Sequence, residues 1–241
     1  QFSHCVSLIS VDCSDKLTAI GSSAFFGCKA LVSIGDLSNV TSIESSVFRG
    51  CIALKSIGNM PKLESIGMQC FMGCTALETV GDLSSLKEIP SETFDGCTSL
   101  VSIGNLNNVE SIANEAFSNC SALEHVDKLD KITSIGQNAF KGCTALKSIG
   151  SLHNLETIGQ GAFSGCSALE HVDDLYSLTR LESGAFAHCA SLVSVDWSDK
   201  LTAIGDNAFI DCKLLVSLGD LSSVTAVSYT HLRAHETPEH L

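Results

Sequence analysis

The chain has 241 residues, of which 44% are apolar and 17% are charged, and its formal net charge is −13. This composition can supply a sizeable core and argues against disorder. The negative charge argues against binding to nucleic acid or anionic lipid, because both need a surface dense in Lys and Arg. No apolar run is long enough to span a bilayer, so we expect no direct membrane insertion.

A repeat of 23 residues organises the chain. Cys follows each repeated Phe by three residues, and Leu follows each Cys by three, in ten copies without insertion or deletion. The repeated phenylalanines are Phe2, Phe25, Phe48, Phe71, Phe94, Phe117, Phe140, Phe163, Phe186 and Phe209. A fixed period of this length is typical of solenoids, in which each repeat buries its apolar face only against its neighbours. We call one 23-residue repeat a coil.

Within the coil at residues 25–47, apolar side chains recur every three residues before Val47. They are Phe25, Cys28, Leu31, Ile34, Leu37, Val40 and Ile43. This spacing matches neither a helix nor an alternating strand, so it predicts a chain that turns repeatedly around its own interior. A single coil cannot offset an ordering cost of roughly 1–2 kcal/mol per residue. Stacked coils can, because burial stabilises each large side chain by about 1.5–3 kcal/mol.

The predicted elements of this coil follow one another in chain order. A short strand covers residues 31–34, a second extended segment covers residues 40–43, and the corner at residues 45–51 is helical or 3₁₀. Gly50, directly before Cys51, suits a corner that needs unusual backbone angles. The predicted fold is therefore a β-rich α/β repeat solenoid. It is a right-handed superhelix of about ten coils, with a parallel β-sheet and short helical or 3₁₀ corners.

Charged residues at equivalent positions of successive coils support parallel stacking. Opposite charges on adjacent strands stabilise a ladder by about 0.2–1 kcal/mol per pair. Two columns alternate in sign, namely Glu124, Lys147 and Glu170, and Glu64, Lys87 and Glu110.

The cysteine column admits four interpretations: a metal site, disulfides, a nucleophile or a small apolar plug. A metal site needs converging cysteines, whereas each coil supplies one; Cys70, close to Cys74, stands where other coils have Ala. Disulfides prefer a Cβ separation of about 3.8 Å, whereas stacked equivalents lie about 4.8 Å apart. No base or cation repeats beside the column to activate a nucleophile. We therefore predict a ladder of buried free thiols.

The pattern A-F-x-G-C-x-x-L-x-S-I resembles the leucine-rich repeats of the BspA-like, or treponemal, type over residues 1–227. The resemblance implies a parallel β-lined solenoid on the surface of bacteria or some protists. It also implies adhesion and binding of host or partner proteins. One departure concerns the first strand, because the family often has I-x-L-P where this chain has IGDL at 34–37. We therefore expect the first strand to end earlier.

The resemblance also places the interaction surface on the strand face. Outward positions there are mostly Ser, Thr, Gly, Asp and Asn. Trp197 is the first candidate for a contact, because aromatic anchors dominate binding hot spots and we expect this one to be exposed. A capping or packing role is the alternative for Trp197. The candidate interaction residues are Asp36, Asp82, His125, Asp127, His171, Asp173 and Trp197.

The string EHVD occurs twice, and strand alternation places His125 with Asp127, and His171 with Asp173, on one face. One interpretation is a docking point sensitive to divalent ions or to acid. The other is a duplicated unit whose polar residues are solvated, and we favour it because the two pairs lie about 10 Å apart. We expect no metal and no cofactor.

Three classes of function can be compared. A module that binds another protein at a cell surface is the first hypothesis, and a structural spacer without its own ligand is the alternative. An enzyme is not expected, because no cluster in the sequence supplies a nucleophile with its base, a metal set or a phosphate cradle.

The last fourteen residues, 228–241, break the repeat and contain three of the eight histidines. The string VSYTHLRAHET resembles the translation of a transposase adapter used in sequencing libraries, so we expect this tail to be non-native. Its H-E-x-x-x-H string lacks the i, i+4 histidine pair of helical zinc sites. The chain starts within a coil at Gln1, so we expect residues 1–227 to be a fragment of a longer array.

Overall fold

A computed structural model describes residues 2–227, which fold into nineteen short strands. Most strands join a Ser or Thr to a β-branched Ile or Val, a residue type that favours extended backbone. In chain order they are β1 (Ser10–Val11), β2 (Ala19–Ile20), β3 (Ser33–Ile34), β4 (Ser42–Ile43), β5 (Ser56–Ile57), β6 (Ser65–Ile66), β7 (Thr79–Val80), β8 (Glu88–Ile89), β9 (Ser102–Ile103), β10 (Ser111–Ile112), β11 (His125–Val126), β12 (Ser134–Ile135), β13 (Ser148–Ile149), β14 (Thr157–Ile158), β15 (His171–Leu175), β16 (Arg180–Leu181), β17 (Ser194–Trp197), β18 (Ala203–Ile204) and β19 (Ala226–Val227).

Two faces of parallel sheet run along the stack. The odd-numbered strands up to β17 form the first sheet face, in the orders β1-β3, β5-β7-β9, β11-β13 and β15-β17. The even-numbered strands and β19 form the second sheet face, in the orders β2-β4-β6 and β8-β10-β12-β14-β16-β18-β19. Paired residues lie 23 positions apart, as Ser42 and Ser65 do, except where Leu175 pairs with Trp197. The predicted solenoid with parallel sheets is therefore confirmed.

A third ladder of hydrogen bonds runs through the corners that were predicted to be helical or 3₁₀. In the corner at residues 45–51, the Phe48 N–H donates to the Cys70 carbonyl of the next coil at 2.8 Å. The N–H groups two residues before and two residues after Phe48 also bond to the next coil. Ser46 and Gly50 have φ angles of 58° and 72°, left-handed values that interrupt a helical turn.

The prediction of helical corners is therefore wrong, since residues 2–227 contain no helix. A helix directs its N–H groups back along its own segment. In this corner, alternate N–H groups point along the stack and join neighbouring coils instead.

A continuous column of phenylalanine rings lies at the centre of the core. From Phe2 to Phe209, ten rings stack with centroids 5.2–5.7 Å apart and with planes within 11° of parallel. Seven of these rings have no exposed surface. Stacked aromatic pairs contribute about 0.5–1.5 kcal/mol beyond area burial. Each inner ring is therefore held by its neighbours on both sides.

Replacing an inner ring should destabilise the stack strongly. We expect Phe117→Ala to lower the free energy of unfolding by about 3–5 kcal/mol, because it leaves a cavity and removes two ring contacts. Urea denaturation followed by circular dichroism measures the change. Phe26→Ala, which removes a ring outside the column, is the matched control and should cost less. Equal losses for the two variants would contradict a special role for the column.

Candidate functional site

Two acidic residues predicted on the first sheet face, Asp36 and Asp82, stabilise the turns that follow its strands. Asp36 accepts hydrogen bonds from the Ser38 N–H and hydroxyl, both at 2.9 Å. These bonds hold the pKa of Asp36 below its ordinary value. Asp82 accepts a hydrogen bond from the Ser84 N–H at 2.9 Å. Both carboxylates are therefore engaged within their own coil, as is common for Asp in turns.

The two EHVD strings present their polar side chains on the first sheet face. The exposed residues of these strings are His125, Asp127, Glu170, His171 and Asp173. Both histidines bond to the next coil, because their Nδ1 atoms lie 2.8 and 3.0 Å from the hydroxyl oxygens of Ser148 and Ser194. Within residues 2–227, no group of three or more His, Cys, Asp or Glu side chains converges in a way that could hold a metal ion.

Trp197 lies in the core, so the prediction that it is exposed is wrong. Only 7% of its surface is exposed, and its ring lies 5.9 Å from that of Phe209. The pairing of β15 with β17 shifts by one residue and sets Trp197 opposite Leu175. Ser198 stands at the phase where most coils have a buried Leu or Met, and the indole fills that place instead. Trp197 therefore has the packing role that was its alternative.

A network that the sequence analysis missed links two turns at the edge of the first sheet face. The Ser151 hydroxyl donates to the Asp174 carboxylate at 2.9 Å and lies 3.0 Å from His153 Nδ1. The Asn154 amide lies 2.9 Å from His153 Nε2. Asp174 also raises the pKa of Tyr176, because their side chains share a hydrogen bond and the carboxylate disfavours a phenolate. These polar groups therefore hold one coil against the next.

The cysteine column makes hydrogen bonds as well as filling space. Every thiol from Cys28 to Cys212 in this column donates to the carbonyl of the Phe 26 residues earlier, with Sγ–O distances of 3.0–3.1 Å. The Phe94 carbonyl, for example, accepts the Cys97 N–H at 3.0 Å and the Cys120 thiol at 3.1 Å. A purely apolar residue would leave that carbonyl with one partner. The thiol therefore joins each coil to the preceding one.

The chemical state of these thiols follows from their burial. All twelve cysteines are free, and nine of them are buried, which confirms the predicted ladder of buried free thiols. Burial raises the pKa of Cys51 and of Cys143 to about 12 and that of Cys120 well above its ordinary value. The thiols therefore stay protonated at neutral pH and do not act as thiolate nucleophiles.

Two of the four ion pairs suggested by the alternating charge columns form. They are Lys87 with Glu110, at 3.2 Å, and Lys147 with Glu124, at 2.9 Å. In the part of the chain that the structure describes, Glu64 and Glu170 form no ion pair. Exposed pairs of this kind contribute about 0–1 kcal/mol. The backbone ladders and the core, and not these charges, therefore set the stacking.

Two grooves run along the second sheet face, which the sequence analysis did not select. The larger one, called the long groove, has a volume of about 580 Å³. A smaller groove of about 360 Å³ lies over Ser42 and Ser65. The lining of the long groove includes Ser111, Ser134, Thr157, Ala113, Gly136, Gly159, Asn114, Gln137, Glu88 and Glu182.

The hydroxyl groups of the long groove are free to meet a ligand. Ser111, Ser134 and Thr157 succeed one another at intervals of one coil, about 4.8 Å. Their hydroxyls make no hydrogen bond within residues 2–227. On the first sheet face, Ser148 and Ser194 bond to histidines, whereas four other hydroxyls of the equivalent column make no hydrogen bond within residues 2–227, namely those of Ser33, Ser56, Thr79 and Ser102. Gly or Ala two residues after each of the groove hydroxyls does not single out the groove in the sequence, because Gly has the same spacing after Ser33 and Ser102 of the first sheet face.

Thiol reactivity should separate the buried column from the few accessible cysteines. At about pH 8, we expect a thiol reagent to modify exposed Cys5 first and half-buried Cys13 and Cys212 more slowly. The nine buried thiols should react only after unfolding in concentrated guanidinium under argon, when all twelve should titrate. The control variant Cys5→Ser should remove the fastest phase only. Recovery of half of the thiols or fewer in denaturant would show that disulfides are present.

Stability should fall in acid through the carboxylates that accept hydrogen bonds. The pKa values of Asp36 and Asp220 are lowered by bonds from Ser38 and Ser222. A lowered folded-state pKa stabilises the fold above the unfolded-state pKa, about 3.9 for Asp, and this stabilisation is lost as pH falls through the folded value. We expect the urea midpoint to fall below about pH 4, and to fall less in Asp36→Asn/Asp220→Asn.

The control for this measurement is Asp130→Asn, because the Asp130 side chain accepts no hydrogen bond within residues 2–227. This variant should keep the acid dependence of the original chain. If the double variant at the two turns shows the same acid dependence as the control, the turn carboxylates are not its source.

The comparisons with known proteins agree with this architecture. A leucine-rich repeat protein from Bacteroides ovatus is 25% identical, with a TM-score of 0.58 over 94% of this chain and 74% of that one. A leucine-rich cell surface protein from Faecalibacterium prausnitzii is 24% identical, with a TM-score of 0.55 over 96% of this chain and 62% of that one. A leucine-rich repeat protein from Eubacterium ventriosum is 20% identical, with a TM-score of 0.59 over 91% and 81%.

The comparison with curated proteins gives no match. The family model described as the BspA type leucine-rich repeat region matches six copies, over residues 1–124 and 87–217. These matches span most of the chain and include the repeated Phe, Cys and Leu columns. The chain therefore belongs to the BspA-type leucine-rich repeat family.

Proposed function

We propose that this chain is a protein-binding module of a cell-surface leucine-rich repeat protein, with a role in adhesion to a host or partner surface protein. The similar protein from Faecalibacterium prausnitzii is described as a cell surface protein, which supports the location. The fold supports the binding role, because a solenoid presents a long surface on a rigid frame. Stacked coils change little on binding, so an extended partner can be held without ordering the module.

The observation that carries this proposal is the long groove. It has a volume of about 580 Å³, and hydroxyl and amide groups stand within a lining whose surface is mostly carbon. Three of its hydroxyls, on Ser111, Ser134 and Thr157, make no bond within residues 2–227. Polar groups without protein partners in a concave surface are available to orient a ligand.

The charge of the chain narrows the class of partner. A net charge of −13 repels nucleic acid and anionic lipid and favours a protein with basic residues. No helix among the described residues has the length and apolar character needed to cross a membrane. A folded protein or a segment of polypeptide is therefore the class of partner that we propose, without a cofactor.

A structural spacer is the second candidate, and the first sheet face favours it. The predicted contact residues there are largely occupied with their own array. Asp36 and Asp82 hold turns, and His125 and His171 bond to the next coil. A face whose polar side chains join coils suits an array that keeps two parts of a protein apart.

Selection from a random peptide library displayed on phage separates the two candidates. We expect clones to be enriched on the immobilised chain, and we expect their binding to be lost on Ser134→Phe, which places a ring in the long groove. Ser102→Phe puts the same ring on the first sheet face and is the matched control. Binding is measured clone by clone by enzyme-linked detection.

Clones that lose binding on either Phe variant support a binding module and identify its face. The spacer predicts a different result. If the chain is a spacer, each clone should bind the original chain and both Phe variants equally, because a spacer has no surface that is specific for a ligand.

A further inference from the structure

We propose that the long groove binds an extended polypeptide segment with small residues in its middle and a basic residue near each end. This inference rests on the proposed protein-binding function and specifies the chemistry of the partner. Four features of the groove support it: a floor of small residues, two polar walls, an acidic side chain at each end, and a length that matches a short peptide.

The floor of the groove is formed by Ala113, Gly136 and Gly159, which stand at equivalent positions of three coils. Neighbouring coils approach closely there, since a Cβ atom on Gly136 would lie 2.6 Å from the Asn114 nitrogen. A Cβ atom on Gly159 would lie 2.5 Å from the Gln137 nitrogen. Packing between coils therefore excludes side chains at these two glycines, and the floor carries nothing larger than the Ala113 methyl group.

The walls of the groove are polar on both sides of this floor. The hydroxyls of Ser111, Ser134 and Thr157 form one wall, at intervals of one coil. Asn114 and Gln137 form the other wall. The Asn114 side-chain oxygen accepts the Gln137 N–H at 2.8 Å, which fixes that amide and leaves its NH₂ group free to donate to a ligand. Such a lining can pair with the N–H and C=O groups of a peptide backbone.

The ends of the groove are acidic. Glu88 stands at one end of the groove, and nearby Pro90 occupies the phase of the floor glycines but lines neither groove. Glu182 closes the other end, where Arg180 donates to it at 2.8 Å. This pair is exposed and weak, so a ligand cation can share the Glu182 carboxylate. Glu88 makes no ion pair within residues 2–227 and is the stronger anchor.

The length of the groove sets the spacing of the basic residues. Glu88 and Glu182 lie four coils apart, which is about 19 Å at about 4.8 Å per coil. An extended peptide rises about 3.3 Å per residue, so two residues six positions apart are separated by about 20 Å. No aromatic side chain lines the groove to stack on a sugar ring, and its acidic ends repel phosphate. Among extended ligands, a basic polypeptide segment therefore fits best.

The test uses the end-blocked peptide Lys-Ser-Ala-Ser-Ala-Ser-Lys, titrated into the ¹⁵N-labelled full chain at low salt. We expect the backbone amide signals of Gly136 and Gly159 to shift saturably, because these residues form the floor. Glu88→Gln/Glu182→Gln should weaken binding by about fivefold or more, because exposed ion pairs are lost. Glu88→Gln alone should cost more than Glu182→Gln alone, since Glu182 already shares its charge with Arg180.

The matched control is Glu78→Gln/Glu170→Gln, which changes the net charge equally at exposed positions beside the first sheet face. Its affinity for the peptide should equal that of the original chain. The same peptide with Gln in place of both Lys residues should bind at least about fivefold more weakly. Equal losses for the two double variants would overturn the proposal, because binding would then depend on total charge only.

The peptide titration and the phage selection together separate failure of this inference from failure of the proposed function. If the lysine peptide leaves Gly136 and Gly159 unshifted while library clones still lose binding on Ser134→Phe, the groove binds protein but not by its acidic ends, and this inference is overturned alone. If clones lose binding only on Ser102→Phe, the binding module uses the first sheet face and the groove has no part in it. If no clone distinguishes the variants and the peptide causes no shift, both proposals fail.

Discussion

The whole structure depends on backbone hydrogen bonds between neighbouring coils, which join residues 22 to 24 positions apart. Each two-residue strand is too short to be stable alone, and so is each coil. Three ladders, two in the sheets and one through the corners, connect every coil to its neighbours. Because the register is the same in all three, one repeated sequence places the same side chain in the same environment many times. An insertion of one residue would break all three ladders at once, which explains why the repeat contains none.

The cysteine column shows the effect of this register, because the same Cys position in each coil bonds to the same Phe position in the preceding coil. The Phe94 carbonyl accepts the Cys97 N–H and also the thiol of Cys120, which is fully buried. A thiol suits this position because it is small, tolerates an apolar environment and still donates weakly. The raised pKa of Cys120 follows from the same burial, and it keeps on the sulfur the proton that the carbonyl accepts. Burial therefore accounts both for the low reactivity of the thiols and for their hydrogen bonds between coils. No chemical function is needed to explain the cysteine column.

Much of the fold could be predicted from the sequence, because the period alone fixes which side chains form columns. The buried thiols and the stacked phenylalanines follow from that period. The corners could not be predicted in this way, since φ angles such as that of Ser46 depend on bonds to the next coil and not on local preference. The prediction that Trp197 is exposed was wrong for a related reason. A shift of one residue in the pairing of β15 with β17 moves Trp197 from an outward position to a buried one. The sequence keeps its period of 23 residues through this segment, so it gives no sign of the local shift in strand pairing.

The candidate site divides between the two sheet faces because of where polar and acidic side chains stand, and not because of the Gly residues, which follow strands of both faces as Gly104 and Gly136 do. After the strands of the first sheet face, polar residues such as Asp36 begin turns, so they are used within the array. On the second sheet face, Gly136 lies beside the hydroxyl of Ser134 in the lining of the long groove. The resemblance to leucine-rich repeats favoured the first sheet face, because it places the interaction surface on the strand face. Binding capacity, however, depends on polar groups that the fold leaves without partners, and the long groove combines such hydroxyls with an acidic side chain at each end.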